Sequence, residues 1–206
     1  RSIYSALINY SYNYLKKKSN FIVTWPNTIN SKTSKKIKYK KIKRQFIIYK
    51  SPGLLKHQNE IFSLKKYNQI SNYIRDNQSI GVILKNSNYY KWRYFSKNYS
   101  DKQIFYFQTN SSLFIFSYNK YNKELNLLDY LGLKKNFYRN LQFISSKIQF
   151  NFWTLKNSIM QIKLSELNFK KTNKKITNEI VFLKKDKFNR NSFFFMAETD
   201  SFINLK

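Results

Sequence analysis

Fourteen basic residues precede Glu60, the first acidic residue of a 206-residue chain. A fold that closed on this segment alone would crowd charges of one sign, and like charges brought together repel. A one-sided block of this kind is an interaction surface, because a solvated face mixes signs. The whole chain carries 39 Lys and Arg against 10 Asp and Glu, a formal charge of +29. The expected partner is therefore a polyanion, which releases its own counterions on contact. A membrane surface would need a spanning run or an amphipathic anchor. The uncharged stretch from Gln103 to Asn119 is interrupted by Thr109, Asn110, Ser111 and Ser112, and it predicts two strands and a turn, with no membrane span.

Hydrophobic residues make up 42% of the chain and aromatic residues 19%, more apolar material than a disordered basic tail carries, so a core is expected. There is no Cys, which excludes disulfides, thiolate zinc sites, iron–sulfur clusters and Cys nucleophiles. Lys, Asn, Ile, Tyr and Phe crowd the sequence while Gly (3), Pro (2) and Ala (2) are scarce, the pattern of an AT-rich gene. Mutation pressure alone then supplies aromatics, which discounts a reading of Tyr89, Tyr90, Trp92, Arg93, Tyr94 and Phe95 as a base-stacking surface; a packed core explains them equally well.

Ile3, Leu7, Tyr10 and Tyr14 follow a helical period, and Lys16, Lys17 and Lys18 suit the negative end of that helix. Phe21, Val23 and Trp25 alternate as a strand closed by Pro26. A basic insertion, residues 29–43, leads to the run Phe46, Ile47, Ile48 and Tyr49, which stops at Ser51, Pro52 and Gly53. Across that turn the run around Ile61, Phe62 and Leu64 is expected to pair back as a long basic hairpin. Tyr73 and Ile74 sit at helical offset, and Ile80, Val82 and Leu84 alternate as a further strand. Beyond residue 88 the expected elements are a hairpin of Ile104–Phe107 with Leu113–Phe116, a helix on Leu125, Leu128 and Leu131, and helical spacing at Phe137, Leu141 and Ile144. A basic loop at Lys170, Lys171, Lys174 and Lys175 and strands at Ile180–Leu183 and Phe193–Met196 complete the expectation. The fold class is α+β, a ferredoxin-like split βαβ sandwich over residues 1–88 with a mixed α/β extension over 89–206.

The segment Arg44, Gln45, Phe46, Ile47, Ile48, Tyr49, Lys50, Ser51, Pro52 and Lys56 resembles the small-subunit ribosomal protein S-ten family, whose R-x-F-T-V-L-x-S-P-H-x-x-K pattern carries a strand into a loop that enters ribosomal RNA. Phe62, Leu64, Lys65, Lys66, Tyr67 and Ile70 fall where that family has its returning strand; Leu7, Ile8 and Asn9 resemble the start of its first helix. Trp25, Pro26, Asn27 and Thr28 resemble its turn, and Ile80, Gly81 and Val82 its last strand, all in the family order. Gly53 stands where the family has His, and about ten inserted residues follow the Pro turn. The resemblance implies an rRNA-binding structural protein of the small ribosomal subunit, in mitochondria and with neighbouring ribosomal proteins as partners, and no enzymatic activity.

The residues expected to meet RNA are Lys32, Lys35, Lys36, Lys38, Lys40, Lys41, Lys43 and Arg44 in the basic block, Lys50, Lys56 and His57 at the turn, and Lys65 and Lys66 after it. Lys outnumbers Arg among them, which suits phosphates met as point charges better than bidentate base readout. His57 has no Ser, Cys or carboxylate constellation beside it and reads as a polar loop residue. Glu198 and Asp200 read as solvent or salt-bridge acids, and the chain lacks a Gly-rich phosphate loop. No catalytic residue, metal, cofactor or small-molecule substrate is implied. The second function class is an organelle-encoded accessory subunit of a membrane respiratory complex, which the acid-free block suits less well than it suits RNA.

Overall fold

The alternation of the apolar run Phe46–Tyr49 determines which way the chain folds around it. In the computed structural model, which describes residues 3–17, 21–24, 40–54, 59–74, 85–96, 103–156 and 158–182, Phe46 and Ile48 belong to one core cluster and Ile47 and Tyr49 to another. Side chains of a strand alternate between faces, so a strand apolar at every position needs cover on both. The same division recurs at Leu113 and Ile115 against Phe114 and Phe116, and at Trp153 and Leu155 against Phe152.

Among the described residues the sheet running between the two clusters has eight strands: β1 (Phe21–Thr24), β2 (Lys40–Lys50), β3 (Phe62–Ser63), β4 (Ile104–Gln108), β5 (Ser112–Asn119), β6 (Glu124–Gly132), β7 (Asn151–Leu155) and β8 (Lys170–Phe182). Their spatial order is β1-β8-β2-β7-β6-β5-β4-β3, antiparallel throughout except for β6 beside β7. Helix α1 (Ile3–Lys16) comes first in the chain; α2 (Asn68–Ser71) and α3 (Ser87–Phe95) precede β4; α4 (Phe137–Lys147) joins β6 to β7, and α5 (Ile159–Glu166) joins β7 to β8. Ile70 of α2 and Tyr90 and Tyr94 of α3 are buried in the first cluster, whereas Phe137, Leu141 and Ile144 of α4 and Met160 and Leu164 of α5 are buried in the second. The chain is a mixed α/β protein.

Local chemistry explains where the helices begin and end. The Asn86 side chain accepts the Tyr89 N–H at 3.0 Å and caps α3. Helix α5 ends with Asn168 at φ 61°, a left-handed residue that lets the Phe169 N–H reach the Leu164 carbonyl (2.9 Å) and the Asn168 N–H the Ser165 carbonyl (3.0 Å). Phe169 and Leu164 are both buried, completing the usual helix-stop contact. Helix α1 forms where its period predicts, yet Ile3, Leu7, Tyr10 and Tyr14 are all exposed on it.

Several expectations are corrected. The hairpin across Ser51–Gly53 does not form: β2 pairs with β7 and β8, while β3 pairs with β4, four strands away. The ferredoxin-like arrangement over residues 1–88 needed those two strands as neighbours. Instead, β2 of the first segment lies between β7 and β8 of the second, so one sheet draws on both sides of the boundary at 88. After β2 the chain docks on residues 148–150, where the Ser51 hydroxyl donates to the Ile148 carbonyl (2.9 Å) and accepts from the Phe150 N–H (2.8 Å). Leu125, Leu128 and Leu131 lie on a strand, β6, and not on a helix; the basic stretch from Lys170 is the start of β8 and not a loop. The strand expected at Ile80–Leu84 and the one at Phe193–Met196 lie outside the described residues.

A Cβ at Gly53 would fall on the backbone of Ile148, which cannot move without breaking the Ser51 contacts. Gly53→Ala is predicted to lower stability by about 1–3 kcal/mol, as overpacking against backbone does. A urea unfolding midpoint unchanged from wild type would contradict this docking.

Candidate functional site

β6 and β7 are the parallel pair, connected by a 3-10 turn (Lys134–Asn136) and α4. They share one register pair, Asn126 with Asn151, near the amino end of each strand. A side-chain clamp holds them there: the Asn151 amide donates to Asn126 Oδ1 and Glu124 Oε2, both at 3.2 Å, and Glu124 also accepts from Lys174 Nζ at 3.1 Å. Beyond the clamp the ladder stops, although both strands continue. Each is tied on its far side, β6 to β5 as far as Gly132 and β7 to β2 as far as Leu155. The outer ladders thus run to the strand ends while the inner one stops at the clamp.

β6 also carries a bulge. Ile115 pairs with Asp129 and Phe116 with Leu127, so Leu128 is an extra residue with no partner on β5. A bulge re-aims the side chains that follow it. Here it turns Asp129, a fully buried carboxylate, toward α3. Asp129 Oδ1 accepts Lys85 Nζ at 2.6 Å and the Tyr130 N–H at 2.9 Å, and Oδ2 accepts the Tyr94 hydroxyl at 3.2 Å. Lys85 and Asp129 are buried together, the geometry in which a removed partner leaves an uncompensated charge. Burial first, then the Asp129 carboxylate, holds the Tyr94 phenol well above the ordinary tyrosine range.

On β7, past its last pair with β6, Trp153 is 6% exposed and its buried indole N–H has no hydrogen-bond partner. A buried orphan donor of this kind calls for an acceptor. At the carboxyl end of β6, Gly132 (φ +149°) leads into the 3-10 turn, whose preceding residue Leu133 provides no side-chain cap. Leading N–H groups of a helical segment lack internal acceptors and favour anions. Lys134 and Lys135, both exposed and without an acidic partner among the described residues, add two positive charges at this end. Gap, open helical start and paired lysines thus share one end of the sheet, where ligands of open α/β sheets bind.

The residues expected to meet RNA do not converge here. Lys40, Lys41, Lys43, Arg44 and Lys50 are distributed along β2, where Lys50 pairs with Asn151 and Lys170 within the sheet instead of standing at a loop tip. Lys65 and Lys66 are exposed between β3 and α2. Lys32, Lys35, Lys36, Lys38, Lys56 and His57, and the acids Glu198 and Asp200, lie outside the described residues. Of the aromatic–cationic segment, Tyr90, Arg93 and Tyr94 are buried, so the core reading holds for them. Gly53 allows close approach to the backbone of Ile148. Among the described residues no helix is long and apolar enough to cross a membrane.

No family model matches the chain, and no curated protein matches it. Among solved structures the chain is similar to a GCN5-related N-acetyltransferase from Anabaena variabilis, at 11% identity and a TM-score of 0.49, over 87% of this chain and 50% of that one. This chain therefore spans half that protein's length, and a likeness at this level assigns it no activity. The S-ten resemblance is corrected on the fold: no family model matches, and the order of strands contradicts the hairpin on which the resemblance rested. The structural role in a ribosome and the exclusion of enzymatic activity rested on that resemblance and are corrected with it, and the mitochondrial expectation loses its basis.

Asp129, Trp153, Lys134 and Lys135 were not singled out by sequence. Asp129 did leave a signal, a lone acid within the apolar run Leu125–Leu131, where only a partnered carboxylate can be buried.

Asp129→Ala is predicted to cost about 3–5 kcal/mol by stranding Lys85, and the double change Asp129→Leu with Lys85→Met much less; equal losses in urea unfolding would contradict a buried ion pair. The unfolded chain releases its Tyr protons near pH 10, whereas folded Tyr94 keeps its proton above that. Its contribution is therefore full below about pH 10 and is lost as pH rises further. The alkaline fall in stability should be shallower in Tyr94→Phe, and an identical pH profile would count against the assignment.

Proposed function

We propose that this chain is a cofactor-dependent group-transfer domain, which holds a phosphate-bearing small molecule at the parting of β6 and β7. The observation that carries this is the open edge: two parallel strands clamped at Asn126 and Asn151, each tied on its far side, with no ladder between them afterwards. An extended arm bearing amides can add itself to such an edge as a strand would. The unpartnered Trp153 indole N–H is a further donor on β7 beyond the clamp. At the same end, the uncapped start of the 3-10 turn with exposed Lys134 and Lys135 suits phosphates. Molecules that combine a phosphate handle with an extended arm serve as carriers of transferable groups, and that is the chemistry such a cofactor supplies when bound. The residues of this chain would hold and orient it.

Titration calorimetry on the full chain tests this with coenzyme A, ADP and inorganic phosphate as probes. Coenzyme A is expected to bind more tightly than ADP, and ADP more tightly than phosphate. Reversing both charges, Lys134→Glu with Lys135→Glu, is expected to weaken the first two by about tenfold or more. Equally weak binding of all three, or binding untouched by the reversal, contradicts the proposal.

A further inference from the structure

A second concave region lies apart from the strand gap, on the outer side of α4. It is a cleft of about 340 Å³ between the β4–β5 turn and α4, with Glu60 at its edge. That size is in the range of small-molecule sites. One wall is the ring of Phe143, half exposed and braced edge-on by Phe107 at a centroid distance of 6.4 Å. Lys147 sits over the same ring, 4.9 Å from its centroid, and both oxygens of Glu60 hold its ammonium at 3.1 Å. These two charges offset one another.

Arg139 stands one helical turn before Phe143 on the same stripe of α4, exposed and without an acidic partner among the described residues. Lys147 lies over one face of Phe143, so the cleft combines the remaining exposed surface of that ring with one guanidinium that has no acidic partner among the described residues. Its rim is fixed in advance. Asn140 is buried and donates to Ser112 Oγ at 2.8 Å, and Ser112 Oγ meets Thr109 Oγ1 at 2.7 Å, so helix and turn are held at a set separation. Preorganisation of this kind reduces the ordering cost of binding.

We infer that this cleft binds a small molecule with a flat aromatic ring and one carboxylate, the ring on Phe143 and the carboxylate on Arg139. A guanidinium recognises a carboxylate through paired parallel hydrogen bonds. Nothing in this site depends on the gap between β6 and β7, so the two can fail separately.

The test is binding of naphthoate, naphthyl phosphate and naphthylmethanol to the full chain, followed by calorimetry. Naphthoate is expected to bind, naphthylmethanol about tenfold or more weakly, and Arg139→Gln to lose the difference. Phe143→Ala should weaken naphthoate and naphthylmethanol alike, while Lys134→Glu with Lys135→Glu should leave naphthoate unaffected. Arg139 is a surface residue, so Arg139→Gln carries the test even where Phe143→Ala fails to fold, as judged by near-ultraviolet circular dichroism. No binding of naphthoate, equal binding of the alcohol, or an unchanged affinity in Arg139→Gln overturns the inference. Tighter binding of naphthyl phosphate than of naphthoate overturns the carboxylate assignment.

Discussion

Asn151 reaches across to Asn126 and Glu124 at the one place where the parallel strands meet, and the remainder of the structure is arranged around that clamp. On one side, β5 follows β6 to its end through Ser112 and Gly132; on the other, β2 follows β7 from Lys50 to Phe46. With both outer ladders complete, the inner one can fail without the sheet separating. Main-chain polar groups are seldom left without partners in a protein interior. The inner ladder stops at the clamp, so the two strands run on toward their carboxyl ends without pairing to one another.

The buried pair of Lys85 and Asp129 is the most demanding interaction near that opening. Two charges taken out of water lose several kcal/mol each in hydration, by an order-of-magnitude estimate, and the pair survives only with good geometry and further hydrogen bonds. Asp129 has them, from Lys85, Tyr94 and the Tyr130 N–H that follows the bulge. The last of these matters for the backbone, because it gives the amide next to the bulge an acceptor. Through Lys85 and Tyr94 the same carboxylate fastens the start and the body of α3 to β6. Bulge, helix and strand edge are thus set by one side chain.

Much of the fold was legible where the period was unbroken. The hairpin of β4 and β5, the strand at Phe46–Tyr49 and the helix through Phe137, Leu141 and Ile144 formed as the spacing required. Leu125, Leu128 and Leu131 misled because the extra residue at Leu128 breaks the two-residue period of a strand into something that mimics a helix. Lysines of β2 and β8 resemble an insertion and a loop in sequence, since charge hides a strand whose order comes from its neighbours' hydrogen bonds. Ser51, Pro52 and Gly53 marked the end of β2 correctly, but a strand break does not say where the chain goes next, and its destination is the backbone of residues 148–150. The candidate site was almost invisible, because the parting of two strands is a property of pairing and leaves no local motif.

Trp153 offers the most direct view of that parting, since the chain has only 3 Trp residues and this one carries a buried indole N–H without an acceptor. The decisive measurement is the nitrogen–proton resonance of the Trp153 indole, assigned by comparison with Trp153→Phe, recorded while coenzyme A is added to the full chain. A ligand seated between β6 and β7 should shift this resonance in a saturable way and leave that of exposed Trp92 in place. Saturable binding with the Trp153 resonance unmoved would contradict a ligand seat at the strand gap.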